Sequence, residues 1–255
     1  MQEQIRPTSE LKETEPKFEI SLVIPTKNES GNVDLLFERL VPILTGYKSE
    51  AIFVDDSSDD TAEKIKGKVW PFPVNIIQRG FNEQVGGLST AVLEGVAKAN
   101  GKYIGVMDAD LQHPPELLPQ LINSAIRNND DIVIASRFIP GGSIEGLSNP
   151  IRKLGSRGTT MLTHVLFPEL KQVSDPMSGF FLFNKKILEG DFELNPQGFK
   201  ILLELLVKTN WVSLGEIPLR FNKRTQEKSK FIAKEKMSAY FHIFQLFREI
   251  HGGKH

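Results

Sequence analysis

Cysteine is absent from this chain of 255 residues. Disulfide frameworks, Cys-ligated zinc, iron–sulfur clusters and thiol nucleophiles are therefore excluded, while the redox compartment is left open. The five histidines show no HExxH or comparable metal spacing. Long apolar runs are missing too. The longest uncharged stretches, Gly158–Pro168 and Met237–Phe247, have eleven residues each, against the ~18–20 that a spanning helix needs. Met1–Lys17 is polar with scattered charges, so no signal peptide is expected. Neither charge sign dominates: 31 basic residues face 32 acidic ones, for a net charge of −1. That balance argues against a nucleic-acid coat but permits local patches. What remains is 40% hydrophobic with 20 Gly and 15 Pro, an ordinary globular composition rather than a collagen-like or disordered one.

Apolar stretches and helix-spaced patterns alternate along the chain. Glu19–Pro25, Ala51–Val54, Val74–Ile77, Tyr103–Met107 and Asp131–Ser136 are expected strands. Between them, Asn32–Leu44, the stretch after Asp59 or Thr61, Gly87–Ala99 and Pro115–Asn128 are expected helices. Such alternation predicts an α/β fold with a mostly parallel central sheet and right-handed crossovers. Further on come a Gly-rich loop at Phe138–Asn149, a helix at Ile151–Leu166 and a strand at Ser178–Asn184. A helix at Pro196–Lys208, a strand at Val212–Phe221, a basic loop at Asn222–Lys230 and an amphipathic helix near Lys234–Ile250 follow. The expected organisation is a mobile tail over 1–18, one domain over 19–233 and a C-terminal amphipathic helix over 234–255, with no internal repeat.

Ligands of such sheets bind at the carboxyl ends of the strands. Three expected strands end in polar chemistry: Pro25–Glu29, Asp55–Ser58 and Asp108–Gln112. Singly, each acidic residue is a solvated loop group or a helix cap; together at successive strand ends they point to a site. Asp108 and Asp110, one residue apart, can reach one divalent cation, and oxygen ligands without His or Cys suit Mg²⁺ or Mn²⁺. Such an ion would bridge a diphosphate leaving group. Asp55 or Asp56 can accept hydrogen bonds from a base or a ribose. No G-x-G-x-x-G follows the first strand and no G-x-x-x-x-G-K-[ST] occurs, so dinucleotide and P-loop binding are disfavoured.

The basic residues cluster in two sets, Arg137, Arg152, Lys153 and Arg157, and Arg220, Lys223, Arg224, Lys228, Lys230, Lys234 and Lys236. Each is a solvated positive face or a holder of phosphate oxygens, and attachment to anionic lipid is a third reading. Met237, Tyr240, Phe241, Phe244, Phe247 and Ile250 make an apolar stripe on the last helix. Its two readings are core packing and a membrane or subunit interface.

Taken together, these stretches resemble glycosyltransferase family 2 with its GT-A fold, and more narrowly the dolichyl-phosphate mannosyltransferase group of polyprenyl-phosphate sugar transferases. The matching stretches are Val23–Glu29 (VIPTKNE), Val54–Thr61 (VDDSSDDT), Met107–Glu116 (MDADLQHPPE), Ser136–Phe138 (SRF), Asp175–Phe181 (DPMSGFF) and Gly198–Leu206 (GFKILLELL), followed by Glu216–Phe221 (EIPLRF). The resemblance implies that Pro25, Glu29 and Asp56 hold the nucleoside, and that Asp108, Asp110 and Gln112 bind the metal with the donor diphosphate. Arg137, Arg152, Ser156, Arg224 and Lys230 would surround the lipid and donor phosphates, with Asp175 supporting them. Two departures stand out: Glu227 occupies the usual Gly position of the basic loop, and Ser89 stands in Gly87–Ala91 where the family has Gly.

The implied reaction is an inverting, metal-dependent transfer of mannose from GDP-mannose to a dolichyl or polyprenyl phosphate. An anionic phosphate needs no general base, which fits a site rich in Arg without an obvious His base. UDP-glucose or another nucleotide sugar remains an alternative donor. A family 2 transferase with a non-lipid acceptor is a second alternative, and it would need a carboxylate base, for which Asp175 is the candidate. A non-catalytic membrane-recruiting partner is the third. The expected setting is cytoplasmic, peripheral on the cytoplasmic face of a membrane, with a small membrane-anchor subunit as an implied partner.

Overall fold

The structure is a computed structural model that describes residues 15–80, 84, 86–146, 150–194, 201–222 and 232–252, with backbone alone at 150–152 and 232–238. Strands β1 (Phe18–Thr26), β2 (Ser49–Asp55), β3 (Val74–Gln78), β4 (Gly101–Val106), β5 (Ile132–Ser136), β6 (Phe181–Asn184) and β7 (Leu214–Pro218) form a seven-stranded sheet. Their order is β3-β2-β1-β4-β6-β5-β7. Only β6 runs antiparallel, inserted between β4 and β5. Every residue of β2 and β5 is buried, as expected for strands covered on both faces.

Two apolar layers cover the sheet. On one face, Ile20, Leu22 and Ile24 of β1 pack with α1 (Val33–Leu44), α2 (Thr61–Lys66) and α4 (Leu118–Asn128). The alternate residue Val23 faces α3 (Leu88–Lys98), on the side that also holds α6 (Ile201–Lys208) and α7 (Ile232–His251). In α1 the buried residues Val33, Leu36, Leu40 and Leu44 fall at helical spacing, which is why that stretch folds as a helix against the sheet. The N-cap position of α2 falls on Asp60, whose side chain makes no capping bond, rather than on Asp59 or Thr61; Asp59 instead accepts the Thr61 N–H at 3.1 Å in the turn that leads into the helix. Helix α3 lies very close to the sheet: a Cβ on Gly95 would fall 2.4 Å from Cγ1 of Val23.

Some boundaries differ from the sequence expectation. β6 starts at Phe181 rather than Ser178, because Ser178 belongs to a turn in which its hydroxyl donates to the Ala135 carbonyl at 2.8 Å. β1 already includes Phe18, so the expected tail overlaps the sheet by one residue; residues 1–14 of it lie outside the described residues. In α7 the apolar stripe divides between two surroundings. Ile243 and Leu246 are buried in the core, whereas Phe241 is 66% exposed and Phe244 50% exposed. The helix carries apolar residues on more than one side, so packing one side leaves another outward. Buried Lys208 locks this helix to α6, reaching Glu204 Oε1 at 2.9 Å and Glu249 Oε1 at 2.7 Å. Burial alone would lower its pKa, but Glu249 and Glu204 outweigh burial and raise it.

Candidate active site

Parallel pairing of β2, β1 and β4 places Asp55–Ser58, Pro25–Glu29 and Asp108–Gln112 side by side at one edge of the sheet. Helices cross back behind the sheet, so this edge is left to loops, and here the loops carry the polar groups. β5 is antiparallel to β6, as is β4, which brings Arg137 to the same edge.

The first two loops are stitched together. Thr26 and Ser57 both donate to Asp55 Oδ1 at 2.6 Å, and Asn28, with a left-handed φ of 58°, accepts the Ser58 N–H at 2.8 Å. Pro25 is buried in β1 opposite Val54. Glu29 is half-buried; its N–H donates to the Thr61 hydroxyl at 2.9 Å and its carboxylate accepts from Asn32 Nδ2 at 2.5 Å. Asp56 is buried beneath Arg79, whose Nε and Nη2 donate to its two oxygens at 2.7 and 2.5 Å. Arg79 also donates to Thr90 Oγ1 at 2.9 Å and to the Gly87 carbonyl at 3.1 Å. A carboxylate offers about four lone-pair positions, so Arg79 orients Asp56 and still leaves it acceptor capacity toward a nucleoside. The sequence reading gave Arg79 no place beside Asp56; its signal in the sequence is its position at the end of β3.

The loop after β4 turns back at Leu111, which has a φ of 61°. Asp110 Oδ1 accepts the Gln112 N–H at 3.0 Å. Asp108 is one-third exposed, with His113 Nδ1 3.5 Å from its Oδ2. His113 is buried, its ring packed against Phe180 and Phe221. Gly179 lets this group sit close: a Cβ there would lie 3.1 Å from His113 Cε1 and 3.3 Å from Asp108 Oδ2. Among the described residues no cluster of three or more His, Cys, Asp or Glu could hold a metal alone. The donor set is thus two carboxylates and an amide, all oxygen chemistry, which fits a hard cation completing its shell with phosphate and water. Gln112 is buried and its Nε2 donates to the Asn222 carbonyl at 3.1 Å, so only its carbonyl end has ligand chemistry.

Arg137 forms the opposite wall. Its Nε and Nη2 each donate to Asp175 at 2.7 Å, and its own N–H donates there at 3.0 Å. Asp175 is fully buried. The guanidinium also faces the rings of Phe138 and Phe221. Burial would lower the Arg137 pKa, but Asp175 first and Asp108 after it hold it above the ordinary arginine value. Phe221 therefore touches both Arg137 and His113, linking the two walls. Asn222 is bound to Gln112 through N–H to carbonyl at 3.1 Å, so the basic loop leaves from the site itself. Arg224 and Lys230 lie outside the described residues, as does the Arg152 side chain. Ser156 is half-buried in α5 (Pro150–Leu166), its carbonyl accepting from Thr159 and Thr160 at 3.0 and 3.1 Å.

Comparison with known proteins agrees with this architecture. A family model described as Glycosyl transferase family 2 matches residues 21–192. A dolichol-phosphate mannosyltransferase of Pyrococcus furiosus is 42% identical over 91% of this chain, which spans 64% of that relative's length. Proteins of the same name from Saccharomyces cerevisiae and Mycosarcoma maydis are 39% and 34% identical, over 85% and 89% of this chain and 82% and 79% of theirs. Among solved structures, glucosyl-3-phosphoglycerate synthase from Mycobacterium tuberculosis, crystallised with Mn²⁺, UDP and glucosyl-3-phosphoglycerate, superposes with a TM-score of 0.68. It covers 92% of this chain and 80% of its own at 18% identity, a likeness of fold. By the family match and by the identity to the yeast and Mycosarcoma proteins, the chain belongs to glycosyl transferase family 2.

Proposed function

We propose that this protein transfers a sugar, mannose from GDP-mannose, to the phosphate of a dolichyl or polyprenyl phosphate, inverting the anomeric carbon in a single displacement. The name shared by its relatives supports the reaction class. The observation that carries the acceptor is the sealing of Asp175 beneath Arg137. A sugar hydroxyl acceptor needs a base to take its proton, and Asp175, the carboxylate considered for that role, is fully buried and ion-paired. A phosphate acceptor arrives ionised, and a site walled by the Arg137 guanidinium suits it.

Pro25, Glu29 and Asp56 hold the nucleoside at the ends of β1 and β2. Asp108, Asp110 and Gln112 would hold Mg²⁺ or Mn²⁺, which supplies charge neutralisation on the departing diphosphate. Arg137, with Arg152, Ser156, Arg224 and Lys230, binds the acceptor and donor phosphates and aligns the attacking oxygen. Positioning and fixed charge supply most of the acceleration. Domain boundaries at 19–233 and 234–255, a peripheral place on the cytoplasmic face and a small membrane-anchor subunit belong to the same proposal. No described helix is long and apolar enough to cross a membrane.

Purified protein incubated with labelled GDP-mannose or UDP-glucose, a short-chain polyprenyl phosphate and either cation tests the reading. The expected result is lipid-linked mannose from GDP-mannose only, abolished by chelation. Exclusive use of UDP-glucose, or transfer to an uncharged acceptor, would overturn it.

A further inference from the structure

The chain that leaves β7 after Pro218 stays paired beyond the sheet. The Leu219 N–H donates to the Ser136 carbonyl at 2.8 Å, the Ser143 N–H to the Leu219 carbonyl at 2.9 Å and the Phe221 N–H to the Ser143 carbonyl at 3.2 Å, with Ser143 and Arg220 paired in parallel. The Gly-rich loop after β5 and the chain after β7 therefore run on together as a narrow ribbon. Buried Gly146 lies against the end of that ribbon. A Cβ on it would fall 2.0 Å from the Phe221 carbonyl oxygen and 2.4 Å from that of Asn222. No side chain fits there, and glycine is what lets the loop press on residues 221 and 222.

The ribbon runs straight into the turn after β4. Asn222 donates its N–H to the Gln112 carbonyl at 3.1 Å, and its own carbonyl accepts from Gln112 Nε2 at 3.1 Å. Its side-chain Nδ2 donates to the Leu111 carbonyl at 3.4 Å. A main-chain carbonyl only accepts, so the Gln112 amide turns its nitrogen to Asn222, which assigns the oxygen as the end with ligand chemistry. Leu111 holds a φ of 61°, a conformation that a leucine keeps only where its neighbours enforce it. Burial of its side chain and the bonds from Asn222 supply that enforcement. Phe221 reaches the other end of the same turn. Its ring lies 5.5 Å from that of His113, whose Nδ1 accepts the Asp108 N–H at 3.2 Å, and 5.9 Å from the Arg137 guanidinium carbon. Two adjacent residues thus touch both ends of the Asp108–Gln112 turn and the cation of the facing wall.

We propose that Phe221 and Asn222, backed by Gly146, are positioning residues for this turn: they orient the Gln112 amide and Asp108 for a divalent cation and tie the turn to Arg137. The proposal rests on the cation role read above for Asp108, Asp110 and Gln112, and its test separates the two. Mn²⁺ binding is measured by electron paramagnetic resonance, with the metal alone and with added GDP or UDP, on wild type, Gly146→Ala, Phe221→Leu and Phe221→Tyr. The methyl of Gly146→Ala pushes the Phe221–Asn222 backbone off Gln112 and should weaken Mn²⁺ binding at least ~10-fold, the usual cost of losing a group that orients a metal ligand. Phe221→Leu should weaken it too, and should raise the KM for a short polyprenyl phosphate roughly 2- to 5-fold through the lost ring–guanidinium contact. Phe221→Tyr keeps the ring and should restore both. Gly95→Ala, at the contact of α3 with β1, should melt lower yet bind Mn²⁺ as wild type does. Thermal melts of every variant accompany the binding, and if Gly146→Ala does not fold, Phe221→Leu decides. Mn²⁺ binding by the folded variants within about twofold of wild type overturns the proposal and leaves the cation role intact. Equal weakening in Gly95→Ala also overturns it, since the effect would then be one of general stability. A wild type that binds no Mn²⁺ with either nucleotide removes the cation role itself, and the positioning role falls with it.

Discussion

Replacing Asp175 with Ala probes the site most directly, because the structure concentrates so much on one carboxylate. Asp175 has no exposed surface and accepts three hydrogen bonds from Arg137, two from the guanidinium and one from the backbone. Its removal strands a cation whose side chain is only 9% exposed. Breaking one partner of such a buried pair costs about 3–5 kcal/mol. For a domain of this size each kcal/mol moves the melting temperature by about 2–4 °C, so a fall of roughly 6–20 °C is expected. The Arg137 pKa is raised, so its contribution is complete below the unfolded arginine value and is lost only as pH climbs through the still higher folded value. The cost should therefore be the same across neutral pH. Arg137→Met combined with Asp175→Leu removes both charges and should regain most of the lost stability. It should not regain transfer to a polyprenyl phosphate, since the cation proposed to hold the phosphate is gone. Thermal melts followed by circular dichroism, beside turnover of a short acceptor, give both readouts. A melt of Asp175→Ala within about 2 °C of wild type, or a double variant as unstable as the two losses summed, would refute the reasoning.

Other expectations follow from separate parts of the molecule. Asp110→Ala should lower cation-dependent transfer by about two orders of magnitude or more with little change in melting temperature, measured by initial rates against cation concentration. Gly95→Ala should destabilise by about 1–3 kcal/mol in urea unfolding, because the new methyl would overlap Val23 and force α3 away from β1. Asp131 is buried, 2.7 Å from Lys186 Nζ, and accepts the Val212 and Ser213 amides at 2.9 and 3.3 Å. Burial would raise its pKa, but Lys186 and those amides outweigh burial and lower it below the ordinary 3.8. Its stabilisation is thus present above that value and lost as pH falls through the lower folded one. Asp131→Asn should accordingly be less stable than wild type at pH 7, with the gap closing in acid below about pH 4 in parallel unfolding titrations.

Local pattern carried much of the architecture. Residues such as Leu22, Ile24, Ile52 and Val54 lie in apolar runs bounded by polar turns, and Val33, Leu36 and Leu40 repeat at helical spacing, so elements and their order were legible. The three polar strand ends were legible too, because in a parallel sheet sequence position fixes which end a loop occupies. Pairings across long separations were not. Asp56 meets Arg79, and Arg137 meets Asp175 across 38 positions, and no periodicity encodes such contacts. His113 stood in a quoted motif without a role until folding brought Phe180 and Phe221 against it.

The sequence by itself determined an α/β chain with acidic strand ends and a basic second half, since those properties follow from residue type and spacing. Only the tertiary structure decided which charges neutralise one another and which side of an apolar helix stays outward. Asp175 lies buried and ion-paired under Arg137, which its position in the sequence does not reveal. Phe241 and Phe244 remained outside because Ile243 and Leu246 filled the core from the other side of the same helix. Burial and charge pairing are properties of neighbours in space, and a linear pattern specifies faces without naming what will lie against them.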